Sequence, residues 1–565
     1  SQRTIFLYLE KPHKMKVKMI NPAENAYKFP LLIKSLFDYC TTLNPDNEII
    51  YRDVSRYNYR EFKKRVCKYA NMIKNLHLDG GETIAVMDYD SHRYLESYFA
   101  VPMTGNVLHM INWRLSSDQI LYTINHAEDL VIIAHIDFLP VLEHFAGSIP
   151  SLKYLIICKD DDSTEIHSDA LHIHGEYEEL MAQASDEYDF EDFDEDAVAT
   201  LFYSTGTTGD PKGVYFTHRQ LVLHTYNLAT TLGFSSSIAC RMHSNDVYLP
   251  LTPMFHVHAW GFPFLATAFS LKQVYPGKFT PEVFLSLFKK EKPTLSHCVP
   301  TILQMILNSN DTDLDLSGWK VIIGGAPMTQ KLAKQALEKG IDVVVGYGMS
   351  ETCPIIALTH IDPKFKDIDI DLQAELRIRT GVPPFLVDIK IIDDDGQIIK
   401  QDDKEQGEIT VRAPWLTQGY YKETKRGIEL WEGGYLHTGD IATMNTYNSM
   451  KITDRIKDVI KSGGEWISSI QLEDIINSHE AVAEVAVIGV PDEKWSERPF
   501  ALISLKPNTN LTENEVKSFL EKFAQSNTIS KWAIPQSIEF VNEIPKTSVG
   551  KLNKKLIRSR YLEKV

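Results

Sequence analysis

Cysteine is scarce in this chain. Six are spread over 565 residues, at Cys40, Cys67, Cys158, Cys240, Cys298 and Cys353, and no two form a CxxC pair. That spacing excludes a disulfide scaffold and a zinc knuckle, and it suits a reducing cytoplasmic setting. Basic residues are also too few to balance the acids. The formal net charge of −17 argues against a general nucleic-acid binder, which carries a basic face. No apolar run reaches the length that crosses a bilayer, so no transmembrane segment is expected. The first residues, Ser1-Gln2-Arg3-Thr4-Ile5-Phe6, show no apolar h-region followed by a small-residue cleavage pattern. Internal repeats and long low-complexity stretches are absent as well, and so are a Walker A sequence and a GxGxxG.

What is present begins with Tyr203-Ser204-Thr205-Gly206-Thr207-Thr208-Gly209-Asp210-Pro211-Lys212-Gly213. Hydroxyls, three glycines and a lysine within eleven residues suit a loop wrapped around polyphosphate oxygens. Glycine lets backbone N–H groups approach and turn inward, and the hydroxyls and lysine add donors. Ala197–Phe202 reads as a buried strand entering this loop. Downstream, Thr217 and Gln220 form a capping-box pattern, with Leu221, Thr225, Leu228 and Leu232 on one helical face. A plain turn between strand and helix is the alternative that composition alone leaves open.

With 43% hydrophobic and 24% charged residues, a chain of this length builds more than one core. Short apolar strands alternate with helical patterns, which predicts α/β architecture. Val321-Ile322-Ile323 and Val343-Val344-Val345 run directly into Gly324-Gly325 and Gly346-Tyr347-Gly348. Ligands gather at such carboxyl ends of strands, although ordinary strand-to-helix turns also use glycine there. The acidic run from Asp186 to Asp196 reads as a solvated connector. Near Asp454 the character changes. From Ile456 onward there are 15 Lys/Arg and 15 Asp/Glu, so the acidic excess lies upstream. Ser468 with Gln471 looks like a capping box, and strands follow at Val485–Ile488 and Ala501–Leu505, which together suit a small α+β unit.

Several motifs stand in fixed order. After the Ser/Thr/Gly loop come Thr252-Pro253-Met254-Phe255-His256-Val257-His258-Ala259-Trp260, Gly346-Tyr347-Gly348-Met349-Ser350-Glu351-Thr352 and Tyr435-Leu436-His437-Thr438-Gly439-Asp440. Asp454–Asp458, the Gly463-Gly464 segment and Pro545–Lys551 close the series. This order resembles the adenylate-forming superfamily of acyl-CoA synthetases, luciferases and peptide-synthetase adenylation domains, and most of all its fatty acyl-CoA synthetases. The resemblance implies a large α/β body with stacked sheets over 1–454 and a small mobile α+β domain over 455–565, hinged near Asp454–Lys457.

It further implies an ATP- and magnesium-dependent ligase that forms an acyl-adenylate with pyrophosphate release. The acyl group then passes to coenzyme A, giving acyl-CoA and AMP. Attack of one anion on another needs donors and a cation at the phosphates. By resemblance, Ser204 and Glu351 associate with Mg²⁺, and Thr205, Gly206, Thr207, Thr208, Gly209 and Lys212 hold phosphates. Gly325, Gly346 and Tyr347 line the adenine pocket, and Ser350 lies near the α-phosphate where relatives usually have Thr. Asp440 takes the ribose hydroxyls, with Arg455 as its basic helper. Val345 stands where many relatives have a polar side chain. Lys551 bridges carboxylate and α-phosphate, and Lys457 is the hinge residue. Gly463 and Gly464 admit the pantetheine arm, and Lys461 and Trp466 contact the adenylate or that tunnel.

His256 and Val257 match positions beside the carboxylate and the acyl-adenylate, and Trp260 resembles an aromatic gate to a fatty-acid tunnel. A core tryptophan packed near Phe262, Phe264 and Phe269 is the equal alternative. A medium- or long-chain fatty acid is the expected substrate. An aryl or branched acid, or acyl transfer to a carrier protein, is the rival within the class. A turnover-deficient adenylate sensor and an ADP-releasing phosphotransferase are rivals outside it. Related synthetases can also form homodimers through the large domain.

Overall fold

The computed structural model describes residues 16–204, 210–309, 314–462, 465–492, 494–526, 528–547 and 551–561, with the backbone alone for Lys461, Glu465 and Trp466. Of the positions singled out above, Thr205, Gly206, Thr207, Thr208, Gly209, Gly463 and Gly464 lie outside the described residues.

Two large sheets form the body. One has seven strands in the order Ile173–Glu176, Tyr154–Cys158, Val131–His135, Thr83–Met87, Val107–Met110, Val198–Ser204, Lys212–Thr217. Its neighbours run parallel until the last pair, which is antiparallel. The other has eight strands, in the order Ile355–Leu358, Asp342–Gly348, Lys320–Ile323, Leu295–Cys298, Val247–Tyr248, Lys272–Tyr275, Glu48–Tyr51, Ser55–Asn58. Its centre is parallel and both edge pairs are antiparallel. Strands covered on both faces read as unbroken apolar runs, as Val131–His135 does with every residue buried. The helix His92–Met103 is buried at all positions. It packs on Val107–Met110 and Val198–Ser204 of one sheet and on Glu48–Tyr51 of the other, so it fills the space between them.

The phosphate-loop region differs from a strand-to-helix turn. Lys212–Thr217 is a strand of its own, antiparallel to Val198–Ser204, with Ser204 opposite Lys212 and Tyr203 opposite Gly213. The two strands on either side of residues 205–209 are therefore an antiparallel pair, and the helix His218–Phe234 starts only after the second of them. Thr217 and Gln220 do form the reciprocal capping box, and Leu221, Thr225, Leu228 and Leu232 are buried together. The acidic run is largely exposed, as expected of a solvated connector, with a few anchors to the body. Phe190 is buried, Asp192 pairs with Lys34 at 2.7 Å, and Glu195 accepts the Leu31 N–H at 2.7 Å.

A four-stranded antiparallel sheet, Asp388–Ile392, Gly407–Arg412, Leu436–Met444 and Met450–Arg455, carries the chain toward its C-terminal part. Isolated bridges Leu358–Val382 and Gly381–Met450 tie it to the edge of the eight-stranded sheet. Beyond it, Ile460–Ser462, Glu465–Ile467, Val482–Asp492, Ser496–Leu505 and Ser537–Phe540 form a further sheet. Helices Ser469–Asn477, Glu513–Gln525 and Lys554–Tyr561 accompany it, around apolar cores built from residues 460–561 alone. Ser468 caps the first of these helices through the Gln471 N–H. The Gln471 side chain bonds the Thr528 carbonyl instead of reaching back, so the expected capping box is only half formed. Buried Asp454 accepts the Ser469 N–H at 2.6 Å, and Lys554 bonds Ser469 Oγ and Glu473 at 2.7 Å each. Lys331 donates to the Asn477 carbonyl at 3.2 Å, which joins the eight-stranded body to the end of the Ser469–Asn477 helix.

Gly381 marks the junction of body and four-stranded sheet. Its φ is +95°, and a Cβ there would lie 2.0 Å from the Leu358 carbonyl oxygen. Gly381→Ala should therefore cost roughly 2–4 kcal/mol of stability and lower the thermal midpoint. An unchanged midpoint would show that the junction yields without strain.

Candidate active site

The glycine-ended strands Lys320–Ile323 and Asp342–Gly348 deliver Gly324, Gly325 and Gly346 to one cleft, at the carboxyl edge of the eight-stranded sheet. The four-stranded sheet supplies a second wall. Asp440 and Arg455 are register partners on its adjacent strands Leu436–Met444 and Met450–Arg455. The Asp440 carboxylate accepts the Tyr347 hydroxyl at 2.8 Å and pairs with Arg455 Nε at 3.0 Å. Asp440 is 7% exposed and Arg455 55%, so the pair orients the acid more than it stabilises the fold. Burial, reinforced by the Asp440 charge, holds the Tyr347 phenol well above its ordinary range, and it stays a hydrogen-bond donor.

Glu351 sits in the short turn Ser350–Thr352, directly after the Gly346-Tyr347-Gly348 strand end. Its carboxylate is buried and accepts the Tyr420 hydroxyl at 2.6 Å. Lys212, opposite Ser204 in the hairpin, places its ammonium 4.7 Å from the Tyr420 ring centroid. Among the described residues no group of three His, Cys, Asp or Glu side chains could hold a metal ion. A single buried carboxylate near a hydroxyl fits a cation that takes most of its ligands from phosphate and water, as Mg²⁺ does.

From the C-terminal unit, Lys551 reaches into the same cleft. A Cβ at Gly325, where φ is +77°, would lie 3.2 Å from Lys551 Cε and 3.8 Å from Nζ. The positive φ disfavours a side chain at this point, and a Cβ would also press lightly on the lysine's flexible end. Burial, followed by the Arg455 charge, pulls the Lys551 ammonium down to about 8, and Asp440 and Glu351 oppose that shift. His256 is pushed down to about 3 by burial and then by the charges of Lys551 and Arg114, so it is neutral at physiological pH. Lys551, His256, Glu351, Asp440, Arg455 and Gly325 therefore share one electrostatic environment, although they come from separate stretches of sequence. Lys457 is exposed in the turn after Arg455, outside this cluster, and Lys461 pairs with Trp466 across the adjoining hairpin.

The segment after His256 has an unusual backbone. Val257, His258, Ala259 and Trp260 have φ of +47°, +55°, +46° and +60°, and Gly261 follows at +80°. A left-handed turn of non-glycine residues costs about 1–2 kcal/mol per residue, so the surrounding core must impose it. His258 is drawn inward, its Nε2 2.7 Å from Thr200 Oγ1. Trp260 is 4% exposed and packs in a tilted contact at 5.0 Å on His297, which Tyr248 and Thr252 fix through both ring nitrogens. The indole also lies over Gly324, where a Cβ would be 2.9 Å from Cη2 and 2.8 Å from the Gly346 carbonyl oxygen. Trp260 thus belongs to the core and also walls the glycine-lined cleft. Two neighbours of the site have no local sequence signal. Tyr420 lies 69 residues from its partner Glu351, and Arg114 lies over the rings of Trp113 and Phe255 at 5.0 and 5.8 Å.

Two carboxylates, an arginine and a lysine from a separate C-terminal unit thus meet beside the glycine-ended strands. The chain belongs to the AMP-binding enzyme family, whose model matches residues 37–421, and the AMP-binding enzyme C-terminal domain matches 471–551. It is 35% identical over 514 residues to the long-chain-fatty-acid–CoA ligase of Thermus thermophilus, covering 90% of this chain and 91% of the relative. It is 34% identical over 545 residues to the 3-methylmercaptopropionyl-CoA ligase of Ruegeria lacuscaerulensis, covering 94% and 97%. The crystal structure of an anthranilate CoA ligase with anthranoyl-AMP superposes with a TM-score of 0.81 at 22% identity, over 94% of this chain and 98% of that one. Acid–coenzyme A ligation is the activity these matches support. No helix among the described residues is long and apolar enough to cross a membrane.

Lys551 has a pH signature. Any state that exposes it binds the proton up to the ordinary value near 10.5, whereas the docked state releases it at about 8. Between those values the undocked form holds more protons, so docking of the C-terminal unit should tighten as pH rises from about 8 to about 10. Small-angle scattering of the ligand-free protein measures this. Lys551→Met should flatten the dependence, and a wild-type profile without slope would contradict burial of the ammonium.

Proposed function

We propose that the protein activates a medium- or long-chain fatty acid with MgATP and transfers the acyl group to coenzyme A. The observation that carries this reading is the insertion of Lys551 beside Gly325, facing the Asp440 and Glu351 carboxylates. In the first half-reaction, a carboxylate oxygen of the acid bonds to the α-phosphorus, the bond to the β-phosphate oxygen breaks, and pyrophosphate leaves. Lys551 acts here as a fixed cation between two approaching anions. Lys212, residues 205–209 and Ser204 hold the phosphates, and Ser204 and Glu351 would hold Mg²⁺, which would supply positive charge against the leaving pyrophosphate. Asp440, with Arg455, takes the ribose hydroxyls, Gly325, Gly346 and Tyr347 line the adenine pocket, and Ser350 lies by the α-phosphate. Neutral His256 and Val257 border the carboxylate.

In the second half-reaction the coenzyme A thiol displaces AMP. Lys551 occupies the space beside the acyl carbon in this arrangement, so the C-terminal unit turns about Lys457, within the hinge Asp454–Lys457 that divides 1–454 from 455–565. Gly463 and Gly464 then approach the pantetheine arm, with Lys461 and Trp466 beside it. Lys551→Ala should lower adenylation by about 10²–10³-fold yet leave thioester formation from supplied acyl-adenylate nearly intact. Equal loss in both half-reactions would contradict two alternating arrangements.

The fatty-acid assignment is supported by the buried apolar wall at Trp260 and by the similarity to a long-chain-fatty-acid ligase. A second reading, a short substituted acid, is favoured by the comparable similarity to a 3-methylmercaptopropionyl-CoA ligase. AMP release across a series of acids separates them. Each buried methylene contributes ~0.8 kcal/mol, so kcat/KM should climb about three- to fourfold per carbon until the cavity is full. Trp260→Ala should shift the carbon number at which it stops climbing, with ATP affinity nearly unchanged. An unaltered acid profile would make Trp260 purely structural.

A further inference from the structure

Tyr420 touches two groups that the proposed chemistry needs, from opposite ends of one side chain. Its hydroxyl donates to Glu351 Oε1 at 2.6 Å, and the Lys212 ammonium lies 4.7 Å from its ring centroid. Among the described residues Lys212 and Glu351 form no ion pair with each other, although one tyrosine joins them. A direct pair would leave each charge neutralised by the other. An interposed phenol holds both in place without pairing them, so both groups stay available to what enters the cleft.

The backbone around Tyr420 is fastened to both partners. Tyr420 bridges Val214 of the hairpin, and the Tyr421 N–H donates to the Gly213 carbonyl at 2.9 Å. Thr417 Oγ1 donates to the Tyr215 carbonyl at 2.9 Å. The Thr417 N–H meanwhile donates to the carbonyl of Glu351 itself at 2.9 Å. Gln220 of the capping box bonds the Leu416 carbonyl at 2.6 Å, and the Trp431 indole N–H bonds the Thr417 carbonyl at 3.0 Å. Segment 416–421 therefore crosslinks the strand that leaves the phosphate loop to the turn that carries the cleft carboxylate.

We propose that Tyr420 is a positioning residue that sets Lys212 and Glu351 in register for a magnesium–triphosphate ligand. The hydroxyl fixes the rotation of the Glu351 carboxylate, and the ring face fixes where the Lys212 ammonium rests. The proposal stands on the MgATP reading given above, and its two interactions are separable. Removing the hydroxyl alone should act on the metal. Removing the ring as well should act on the nucleotide.

The test is calorimetric binding of ATP with and without Mg²⁺ to the full-length wild type, Tyr420→Phe and Tyr420→Leu, with no acid or coenzyme A present. Loss of one charge-assisted hydrogen bond should raise the Mg²⁺ concentration for half-saturation by about tenfold in Tyr420→Phe, with metal-free ATP affinity unchanged. Tyr420→Leu should lose a further two- to fivefold in metal-free ATP affinity, the scale of one cation–π contact. Tyr420→Phe keeps the ring packing and so carries the test if the leucine variant does not fold. A wild type that binds ATP but shows no Mg²⁺ dependence, or that binds neither, would overturn the functional reading and this inference with it. A normal wild type with an unmoved Mg²⁺ requirement in Tyr420→Phe would overturn this inference alone.

Discussion

One ammonium, carried on the C-terminal unit and half-buried against the body, organises this molecule. Lys551 gives up part of its hydration to lie beside Gly325, and burial draws its proton affinity down to about 8. Arg455 opposes it as a like charge, and Asp440 and Glu351 favour it. Such a balance is poor as a source of stability, because burying a charge offsets most of what the carboxylates return. It suits the anion-binding role proposed above for Lys551, where an under-compensated cation attracts an incoming anion.

The rest of the architecture keeps that point defined. The glycines at the ends of Lys320–Ile323 and Asp342–Gly348 keep the cleft floor free of side chains, so the lysine from one side and the Trp260 indole from the other can lie against backbone. The left-handed turn Val257–Gly261 sends His258 into the core toward Thr200 and leaves His256 facing Lys551. On the far wall, Asp440 and Arg455 stay adjacent because two antiparallel strands pair them in register. Among the described residues, polar contacts at Asp454–Ser469 and Lys331–Asn477 tie the C-terminal unit to the rest of the chain.

Much of this was legible in the sequence for reasons that can be named. Buried parallel strands read as apolar runs ending in glycine, and the Thr217–Gln220 box announced its helix because capping is a contact three residues long. The identity of the site came from the order of motifs, since no periodicity links Lys551 to Gly325. What escaped was non-local or conformational. The strand Lys212–Thr217 hid behind a Gly-Asp-Pro-Lys-Gly stretch that reads as loop, and its partner is fixed only by the hairpin. Gln471 looked like half of a box, but its amide finds the Thr528 carbonyl. The acidic run is exposed as its charge implies, but its anchors through Phe190, Lys34 and the Leu31 amide are long-range and carry no local signal. A valine-histidine-alanine-tryptophan stretch gives no hint of positive φ, which the packing of His258 and Trp260 imposes. Tyr420 carries no motif at all, and its meaning exists only once Glu351 and Lys212 are beside it.

The central claim is that this cleft joins a carboxylate to the α-phosphate of ATP before any thiol is involved. Exchange of labelled pyrophosphate into ATP, measured without coenzyme A, addresses that step alone. The account predicts exchange that depends strictly on an added fatty acid. Absence of exchange with every acid, or release of ADP in place of pyrophosphate, would contradict it.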